Sequence, residues 1–412
     1  MPRPAPDQPR TRSGTGARRR RESRGLALLA AATAPALLVG CAQQGTGGPS
    51  DAKLAKTDIP AKVSPKTTLT IGAPEDRVLL KLSGAAKKLP FKVKWANISG
   101  GPQCSEAFRA HSLDLCAAAE VPSIHAHWTG LDTKLVAAEF RKDPAKNPIY
   151  RLGIAPGAGI DSLKDLRGKK IAFSPGQAQG ALVLRILHKA GLKKSDVKLV
   201  EMPSTGDVYS TALGEHQVDA APLGDVNLKR YPAKYGKQGG KTIPHGLRDD
   251  ASHLWAPTQS VADPQKAAAI REFIKLWARA QVWGYEHPKE WVEGYAVKDQ
   301  GLSREDGEYL HKHNGEPEIP DDWGPVIRRH QKTVDLLAKE TGKKRFDAAT
   351  LFDRRFEHVA ADALKSGGAK SDGGKSDGAK SDGAKSDGGK SDGAKSNGGK
   401  SEGAEAQGKE KP

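Results

Sequence analysis

The chain has 412 residues, a formal net charge of +17 and only three cysteines. This length is enough for a large two-lobed domain or for two domains. A basic balance can indicate nucleic-acid binding, but Lys and Arg do not interleave with aromatic residues in any stripe. We therefore interpret the charge as a solvated surface that favours anions. Part of it lies in residues 1–40, which hold eight arginines against Asp7 and Glu22.

The first forty residues have the pattern of an export signal. Arg18–Arg21 form a basic patch, and Leu26–Val39 is an apolar run too short for a good membrane span. The run ends in Leu38-Val39-Gly40-Cys41, which resembles the bacterial lipobox, in which the cysteine is lipidated and becomes the new N-terminus. We predict a lipoprotein signal peptide over residues 1–40 and a lipid anchor on Cys41, with Sec or twin-arginine export both open.

Two further segments are predicted to lie outside the folded part. Residues 41–66 are polar and rich in Gly, Pro and Lys, and predict a flexible tether. From Lys370 to about Lys400, a Lys-Ser-Asp-Gly motif recurs every five residues, and no residue from Lys365 to Lys411 is both apolar and larger than Ala. Such a segment cannot bury a core, so we predict that residues 365–412 are disordered.

Between these ends, short apolar strands alternate with amphipathic helices, which predicts α/β lobes with parallel sheets. The pattern is clearest at Gly168–Gly191, where a strand, a polar turn and a helix follow one another. Strands are predicted at Thr68–Ile71, Phe91–Trp95, Leu113–Ala117, Lys134–Phe140, Lys170–Phe173, Val197–Met202 and Gln217–Ala221. A long amphipathic helix is predicted to start at Asp263-Pro264, with further helices around Trp291, Leu310, Val326–Leu337 and Phe352–Leu364.

The chain is predicted to pass twice between two lobes. Pro148–Pro156 is extended and forms the first crossing, and the segments Thr242–Leu247 and Leu254–Val261 return the chain. Two lobes joined in this way form a hinge architecture. The expected lobes are residues 67–155 and 253–364, with the C-terminal helices, for the first and residues 156–252 for the second.

The turns after the strands are the candidate binding elements, because ligands of α/β sheets lie beyond the carboxyl ends of the strands. In Gly168–Gly191 this turn directly precedes a helix. The free N–H groups and the dipole at a helix N-terminus suit a small anion or a zwitterion.

Three stretches, in chain order, carry a family resemblance. They are Ser99-Gly100-Gly101-Pro102-Gln103 with Ser112–Leu115, then Glu120-Val121-Pro122-Ser123-Ile124, then Asp165–Ala172 with its following turn. From about Thr67 to Glu357, the chain resembles the solute-binding proteins of ABC importers for nitrate, sulfonate and taurine. The resemblance is strongest to the aliphatic-sulfonate-binding group.

The resemblance implies a two-lobed α/β fold of the periplasmic-binding-protein type II, with a hinge between the lobes. Such a protein closes on a small organic solute and passes it unchanged to a membrane permease and its ATPase, without a cofactor. It would be exported and held at the outer face of the cell membrane by the lipid on Cys41. Carried onto this chain, the ligand-binding residues are Pro74, Glu75, Gly101, Pro102, Gln103, Ala119, Glu120, Ser174, Gly176, Gln177, Gln179, Asp219 and Asp225.

The chain departs from the sulfonate pattern at three places. Ala117–Ala119 replaces small hydroxyl residues, and His111 stands where Gly is usual. Glu120 is expected to add a negative charge near the ligand, which repels a sulfonate unless the carboxylate is capped or protonated. The solute therefore stays open among a sulfonate, another anion or zwitterion, and a neutral heteroaromatic compound.

The remaining cysteines and histidines predict structure rather than catalysis. In an exported protein we expect Cys104 and Cys116 to form a disulfide, with two buried thiols as the alternative. His125/His127 and His311/His313 lack a third ligand at zinc spacing, so we predict no metal site.

The sequence favours a binding protein over an enzyme. It has no Gly-x-Ser-x-Gly, no P-loop and no Ser/His/Asp arrangement. It also lacks the cysteine-rich motif of the pyrimidine synthases that share this fold. The alternatives are a lipoprotein that presents its ligand to a sensor and, less favoured, an enzyme resembling those synthases.

Overall fold

The computed structural model describes residues 54, 56–98, 100–144, 146–249 and 251–368. The strands are β1 (Thr68–Gly72), β2 (Lys92–Trp95), β3 (Leu115–Ala119), β4 (Thr133–Arg141), β5 (Tyr150–Ile154), β6 (Lys170–Phe173), β7 (Lys198–Glu201), β8 (Ala220–Gly224), β9 (Lys241–Ile243), β10 (Ser252–Pro257) and β11 (Pro317–Glu318). The α-helices are α1 (Pro74–Leu82), α2 (Gly101–Arg109), α3 (Val121–Trp128), α4 (Ala178–Lys189), α5 (Val208–Gly214), α6 (Asn227–Tyr235), α7 (Thr258–Ala262), α8 (Pro264–Glu286), α9 (Pro288–Trp291), α10 (Arg304–Asn314), α11 (Gly324–Thr341) and α12 (Val359–Gly368). A π-helical turn, Val292–Val297, continues from α9.

The strands form two sheets, one in each lobe. The first has the order β2-β1-β3-β10-β4-β11, and the second has the order β7-β6-β8-β5-β9. Both are mixed rather than parallel, because β10 pairs antiparallel with β3 and β4, and β5 pairs antiparallel with β8 and β9. Each of these strands is the first one after a crossing between the lobes. After each crossing, the first strand therefore runs antiparallel to its neighbours in the sheet. The alternation of strands and helices in the sequence does not reveal this.

The first crossing comes earlier than the sequence indicates. β4 ends at Arg141 and β5 already pairs in the second sheet, so residues 150–155 belong to the second lobe and not to the first. The two crossing segments are bonded to each other, since the carboxylate of Asp249 accepts the N–H groups of Ile149 (3.1 Å) and Tyr150 (2.8 Å). These two hydrogen bonds join the two crossing segments of the hinge region to each other.

The second sheet buries both of its faces. In β6, the side chain of Ile171 packs with α4 on one face, and that of Ala172 packs with α5 and α6 on the other. Successive residues of a strand point to opposite faces, so a fully buried strand reads as a continuous apolar run. β8 extends to Gly224 through Pro222, beyond the predicted end at Ala221, because this part pairs with β5.

The first lobe is built around the long helix α8. The carboxylate of Asp263 accepts the N–H groups of Gln265 (2.9 Å) and Lys266 (2.8 Å), and Pro264 occupies the first turn. These are the signals that favour a helix start. The helix buries Ile270, Phe273 and Ile274 in the core of this lobe.

Structured residues extend into both of the end segments that were predicted to be unstructured. Leu54 is buried, and Arg271 binds the carbonyl oxygens of Ile59, Pro60 and Ala61, so the described part of residues 54–66 is fixed to α8. α12 continues to Gly368 and so includes the first residues of the predicted tail. Cys41 and the rest of both ends lie outside the described residues. No helix in the described part of the chain has the length and apolarity to cross a membrane.

Candidate functional site

A cavity of about 1040 Å³ lies between the lobes, at the carboxyl ends of their strands. The first lobe lines it with the start of α1, the end of β4 and the region around Trp291. The second lobe lines it with the end of β8, the loop before α5 and Gln179 of α4. Ligand cavities are commonly of this size and lie in such crevices.

Four carboxyl groups meet in this cavity. Glu75 and Asp76 lie in the first turn of α1, Glu139 near the end of β4, and Asp225 directly after β8. Desolvation by the surrounding walls, followed by the charges of Asp76 and Asp225, raises the pKa of Glu75 to about 7, although the side chain itself keeps exposed surface. Burial, with Asp76 and Glu75 nearby, raises the pKa of Glu139 to about 8. Desolvation also raises the pKa of Asp225, which likewise keeps exposed surface.

Asp76 is the most enclosed of the four. It is 6% exposed, and its Oδ1 accepts the indole N–H of Trp277 (3.2 Å) and the amide of Gln281 (2.6 Å). Its Oδ2 is buried and has no hydrogen-bond partner among the described residues. Burial raises the pKa of Asp76 to about 6, against the effect of these two hydrogen bonds. A buried acceptor without a donor is energetically costly unless a ligand or a proton satisfies it.

Aromatic side chains form another part of the wall. Trp291 donates a hydrogen bond to Glu75, and its ring lies 4.9 Å from that of Tyr295. Tyr295 lies in the π-helical turn, a distortion that is frequent at functional sites. Tyr150 and Tyr209 line the cavity from the second lobe. The negative charge of Glu75, followed by burial, raises the pKa of Tyr295, so its hydroxyl stays protonated.

Two guanidinium groups also line the cavity. Arg141 lies among the carboxyl groups and lowers the pKa values of Glu75, Glu139 and Asp225 relative to burial alone. It also donates to the carbonyl oxygen of His313 (3.1 Å). Arg230 pairs with Asp306 of the first lobe (2.6 Å) and so bridges the lobes at the edge of the cavity.

Four of the residues predicted to bind ligand line this cavity: Pro74, Glu75, Gln179 and Asp225. They follow β1, β6 and β8, as expected for carboxyl ends of strands. Among the predicted residues that lie elsewhere, Asp219 precedes β8 instead of following it. Its carboxylate accepts the N–H of Lys170 (2.7 Å), at the opposite end of the sheet.

The predicted residues in the turn after β6 contact side chains of the cavity wall but do not line the cavity themselves. The hydroxyl of Ser174 is buried between the Met202 carbonyl (2.7 Å) and the Tyr209 hydroxyl (2.6 Å). Gln177 accepts a hydrogen bond from Ser204, which itself lines the cavity. Gly176 has a φ of +82° and lies against His125.

The start of α2 is also outside the cavity lining. A Cβ on Gly101 would come within 2.1 Å of the Pro122 ring, so this glycine permits close packing of α2 on α3. Pro102 and Gln103 are exposed on the surface. His111 adopts a φ of +52°, which explains why a glycine suits this position.

Ala119 and Glu120 line a separate pocket of about 200 Å³. Glu120 is 5% exposed and pairs with Arg185 of α4, across the two lobes, while Thr333 of α11 also donates to it (3.0 Å). Burial disfavours its charge, but Arg185 and the nearby His330 and His253 outweigh it and hold its pKa below the usual value. Glu120 thus lies outside the lining of the large cavity, and its carboxylate is capped by Arg185.

The described residues include one disulfide and no evident metal centre. Cys104 of α2 and Cys116 of β3 are joined, with their Cα atoms 6.3 Å apart, and both are fully buried. In the described part of the chain, no group of three or more His, Cys, Asp and Glu is arranged to hold a metal ion.

Known proteins share both sequence and architecture with this chain. A family model described as NMT1/THI5 like matches residues 104–291. A Bacillus subtilis protein named for binding aliphatic sulfonates is 27% identical over 293 residues, which cover 69% of this chain and 83% of the relative. The resemblance to the aliphatic-sulfonate-binding proteins is confirmed.

Solved structures show the fold. The periplasmic aliphatic sulphonate binding protein of Escherichia coli superposes with a TM-score of 0.60 at 24% identity, covering 71% of this chain and 99% of that protein. The chain therefore has the two-lobed periplasmic-binding-protein fold. The desulfurization enzyme DszB also shares it, with a TM-score of 0.51 at 14% identity over 73% of this chain and all of the enzyme. Both binding proteins and enzymes thus use this architecture.

Several lining residues were missed by sequence reasoning. Asp76, Glu139, Arg141, Tyr150 and Tyr295 line the cavity but were not among the predicted ligand-binding residues. The carboxyl-end rule would have identified Glu139 and Arg141, had it been applied to β4 as it was to β1 and β8. Tyr150 and Tyr295 carry no local signal, because their position depends on the crossing and on the π-helical turn.

Proposed function

We propose that this protein is the solute-binding component of an ABC importer. It holds a small organic solute in the cavity between its lobes and delivers it, unchanged, to a membrane permease. The observation that carries this proposal is the 1040 Å³ cavity, which both lobes line and which two hydrogen-bonded crossing segments adjoin. The names of relatives in sequence and structure, which are binding proteins, support the same function.

We further propose that the protein is exported and anchored through a lipid on Cys41. The supporting pattern is the basic patch, the apolar run and Leu38-Val39-Gly40-Cys41, in that order. The substitution Cys41→Ala should release the protein from the membrane fraction and abolish incorporation of a labelled fatty acid. Unchanged membrane association would contradict the anchor.

The binding function is tested by thermal unfolding of the full chain with a panel of anionic, zwitterionic, neutral and cationic solutes. A solute at one hundred times its dissociation constant should stabilise the protein by about 2.7 kcal/mol. The variant Gln179→Trp places a large side chain in the cavity wall and should abolish the effect. Its matched control, Gln103→Trp, places the same side chain outside the lining and should retain it.

The fate of the solute separates a binding protein from an enzyme. Mass spectrometry should recover the stabilising solute unchanged after prolonged incubation, and deletion of the gene should abolish its uptake by cells. Conversion of the solute would identify an enzyme. Unchanged uptake after deletion would favour the sensor, and silence of the whole panel would argue against a solute-binding role.

A further inference from the structure

The wall of the cavity is predominantly acidic. Five carboxyl groups line it, because Asp207 joins the four described above, against two guanidinium groups, of which Arg230 is paired with Asp306. His253 also lines the cavity, but burial, followed by the charge of His330, lowers its pKa to about 3, so it is neutral at physiological pH. An anion placed here would face more carboxylates than cations.

The helix ends that face the cavity already carry negative groups. Glu75 and Asp76 occupy the first turn of α1, and Asp225 lies just before α6 with a φ of +51°. Helix N-termini attract anions through their free N–H groups and dipole. At these two helix ends, the negative charge comes from carboxyl groups of the protein. The positive end of the helix dipole, on which a sulfonate site at a helix N-terminus depends, is therefore already compensated.

A buried oxygen in the wall is an acceptor without a donor. Asp76 is more than nine-tenths buried, and its Oδ1 receives two hydrogen bonds whereas its Oδ2 receives none from the described residues. Glu75 and Glu139 lie within electrostatic range of it. An ammonium group offers N–H donors and a positive charge together, and so satisfies both needs.

The aromatic side chains suit the same ligand. Trp291 and Tyr295 lie beside Glu75, and Tyr150 and Tyr209 line the cavity from the second lobe. Aromatic faces attract cations, and their rings also cover the apolar part of an organic ligand. Carboxylates beside aromatic rings are therefore a combination that favours an organic cation.

We propose that the solute is an organic amine whose ammonium group pairs with Asp76, Glu75 and Glu139 and whose apolar part packs on the aromatic wall. This inference rests on the proposed solute-binding function and names the chemical class of its ligand. It places the chain apart from the sulfonate-binding relatives, although the scaffold is the same.

A charge series on one carbon skeleton tests the class. Isothermal titration of the full chain with 2-phenylethylamine, 2-phenylethanol and 2-phenylethanesulfonate compares a cation, a neutral compound and an anion of similar size. We expect the amine to bind at least roughly tenfold more tightly than the alcohol and the sulfonate not to bind, since each tenfold corresponds to about 1.4 kcal/mol.

Isosteric variants connect the preference to the carboxyl groups. Asp76→Asn combined with Glu139→Gln should weaken amine binding at least roughly tenfold and leave the alcohol unaffected. The exposed control Glu106→Gln should change neither. Circular dichroism and thermal unfolding verify that the double variant is folded, and Glu139→Gln alone provides a milder test if it is not.

The outcomes distinguish the two proposals. Tight binding of the sulfonate, or equal binding of the amine and the alcohol, would overturn the amine assignment while leaving solute binding intact. Equal amine affinity in the double variant would also overturn it. If no compound of any charge binds here or in the broader panel, the solute-binding function itself fails.

Discussion

Two regions of this molecule shift the pKa values of their carboxyl groups in opposite directions. Glu120, in the smaller pocket, is capped by Arg185 and Thr333, and its pKa is held below the usual value. Glu75, Asp76 and Glu139, in the large cavity, have pKa values raised to about 7, 6 and 8. The first region has one cation for its one carboxylate, whereas the second has Arg141 for several carboxyl groups. This difference indicates that Glu120 stabilises the structure, and it is the basis for assigning a ligand-binding role to the cavity carboxyls.

The largest effect is expected from breaking the compensated region. Arg185→Met leaves Glu120 buried without its cation and should lower the free energy of unfolding by about 3 kcal/mol in a urea titration. Arg167→Met breaks an exposed pair with Asp196 and should have a much smaller effect on unfolding, because solvent screens such pairs. Equal losses in both variants would show that the Glu120–Arg185 pair has no special role.

The pH dependence of amine binding is the next largest effect. Glu75 and Glu139, whose pKa values are raised to about 7 and 8, hold protons near neutral pH, and an ammonium group displaces them. Amine affinity should therefore rise between about pH 6 and pH 8, by up to roughly tenfold per pH unit for each proton released. Titrations in buffers of different ionisation enthalpy would count the released protons, and a flat affinity profile would contradict the mechanism. The other charged and titratable groups that line the cavity are Arg141, Arg230, Asp207, Asp225, Tyr150, Tyr209, Tyr285, Tyr295, His253 and His311.

Isosteric amides should have opposite effects in the two regions. Glu120→Gln loses charge-assisted hydrogen bonds and should cost about 2 kcal/mol of unfolding free energy. Asp76→Asn removes a carboxyl that is ionised against its environment, and should stabilise the ligand-free protein at pH 8 by about 1 kcal/mol.

The sign for Asp76 follows from its raised pKa. The folded state holds the proton more tightly than the unfolded state, so the contribution of Asp76 to stability falls as pH rises from about 4 to about 6. The advantage of Asp76→Asn should grow over this range and stay level above it. Thermal unfolding at pH 4, 6 and 8 measures it, and a pH-independent difference would rule out this explanation.

The smallest expected effects come from residues between the large cavity and the smaller pocket. Ala119 lines the smaller pocket and not the cavity, so Ala119→Ser should change amine affinity less than twofold and unfolding by less than about 0.5 kcal/mol. Gln177→Ala, which removes the partner of Ser204 in the cavity wall, should weaken binding a few-fold. Loss of binding in Ala119→Ser would mean that the ligand reaches the smaller pocket.

Local patterns predicted the elements well where a start signal and a periodic apolar face coincide. The helix that starts at Asp263-Pro264 and the strand Lys170–Phe173 lie where the sequence indicates. The fixed segment at residues 56–66 was missed, because its order depends on carbonyl contacts with Arg271, about 210 residues away. The first crossing was placed too late for a similar reason, since only pairing with β8 assigns β5 to the second sheet.

The sequence by itself determined the two-lobed α/β class, the resemblance to solute-binding proteins and the turns from which a ligand site would be built. These follow from periodicity, capping residues and short motifs, which act over a few residues. Only the tertiary structure decided that Glu120 is paired with Arg185 and that Glu75, Asp76 and Glu139 converge without an equal number of cations. The sequence shows that a residue is Asp or Glu but not whether its carboxyl group is ionised. That depends on which distant side chains, such as Arg185 or Trp277, the fold brings close to it.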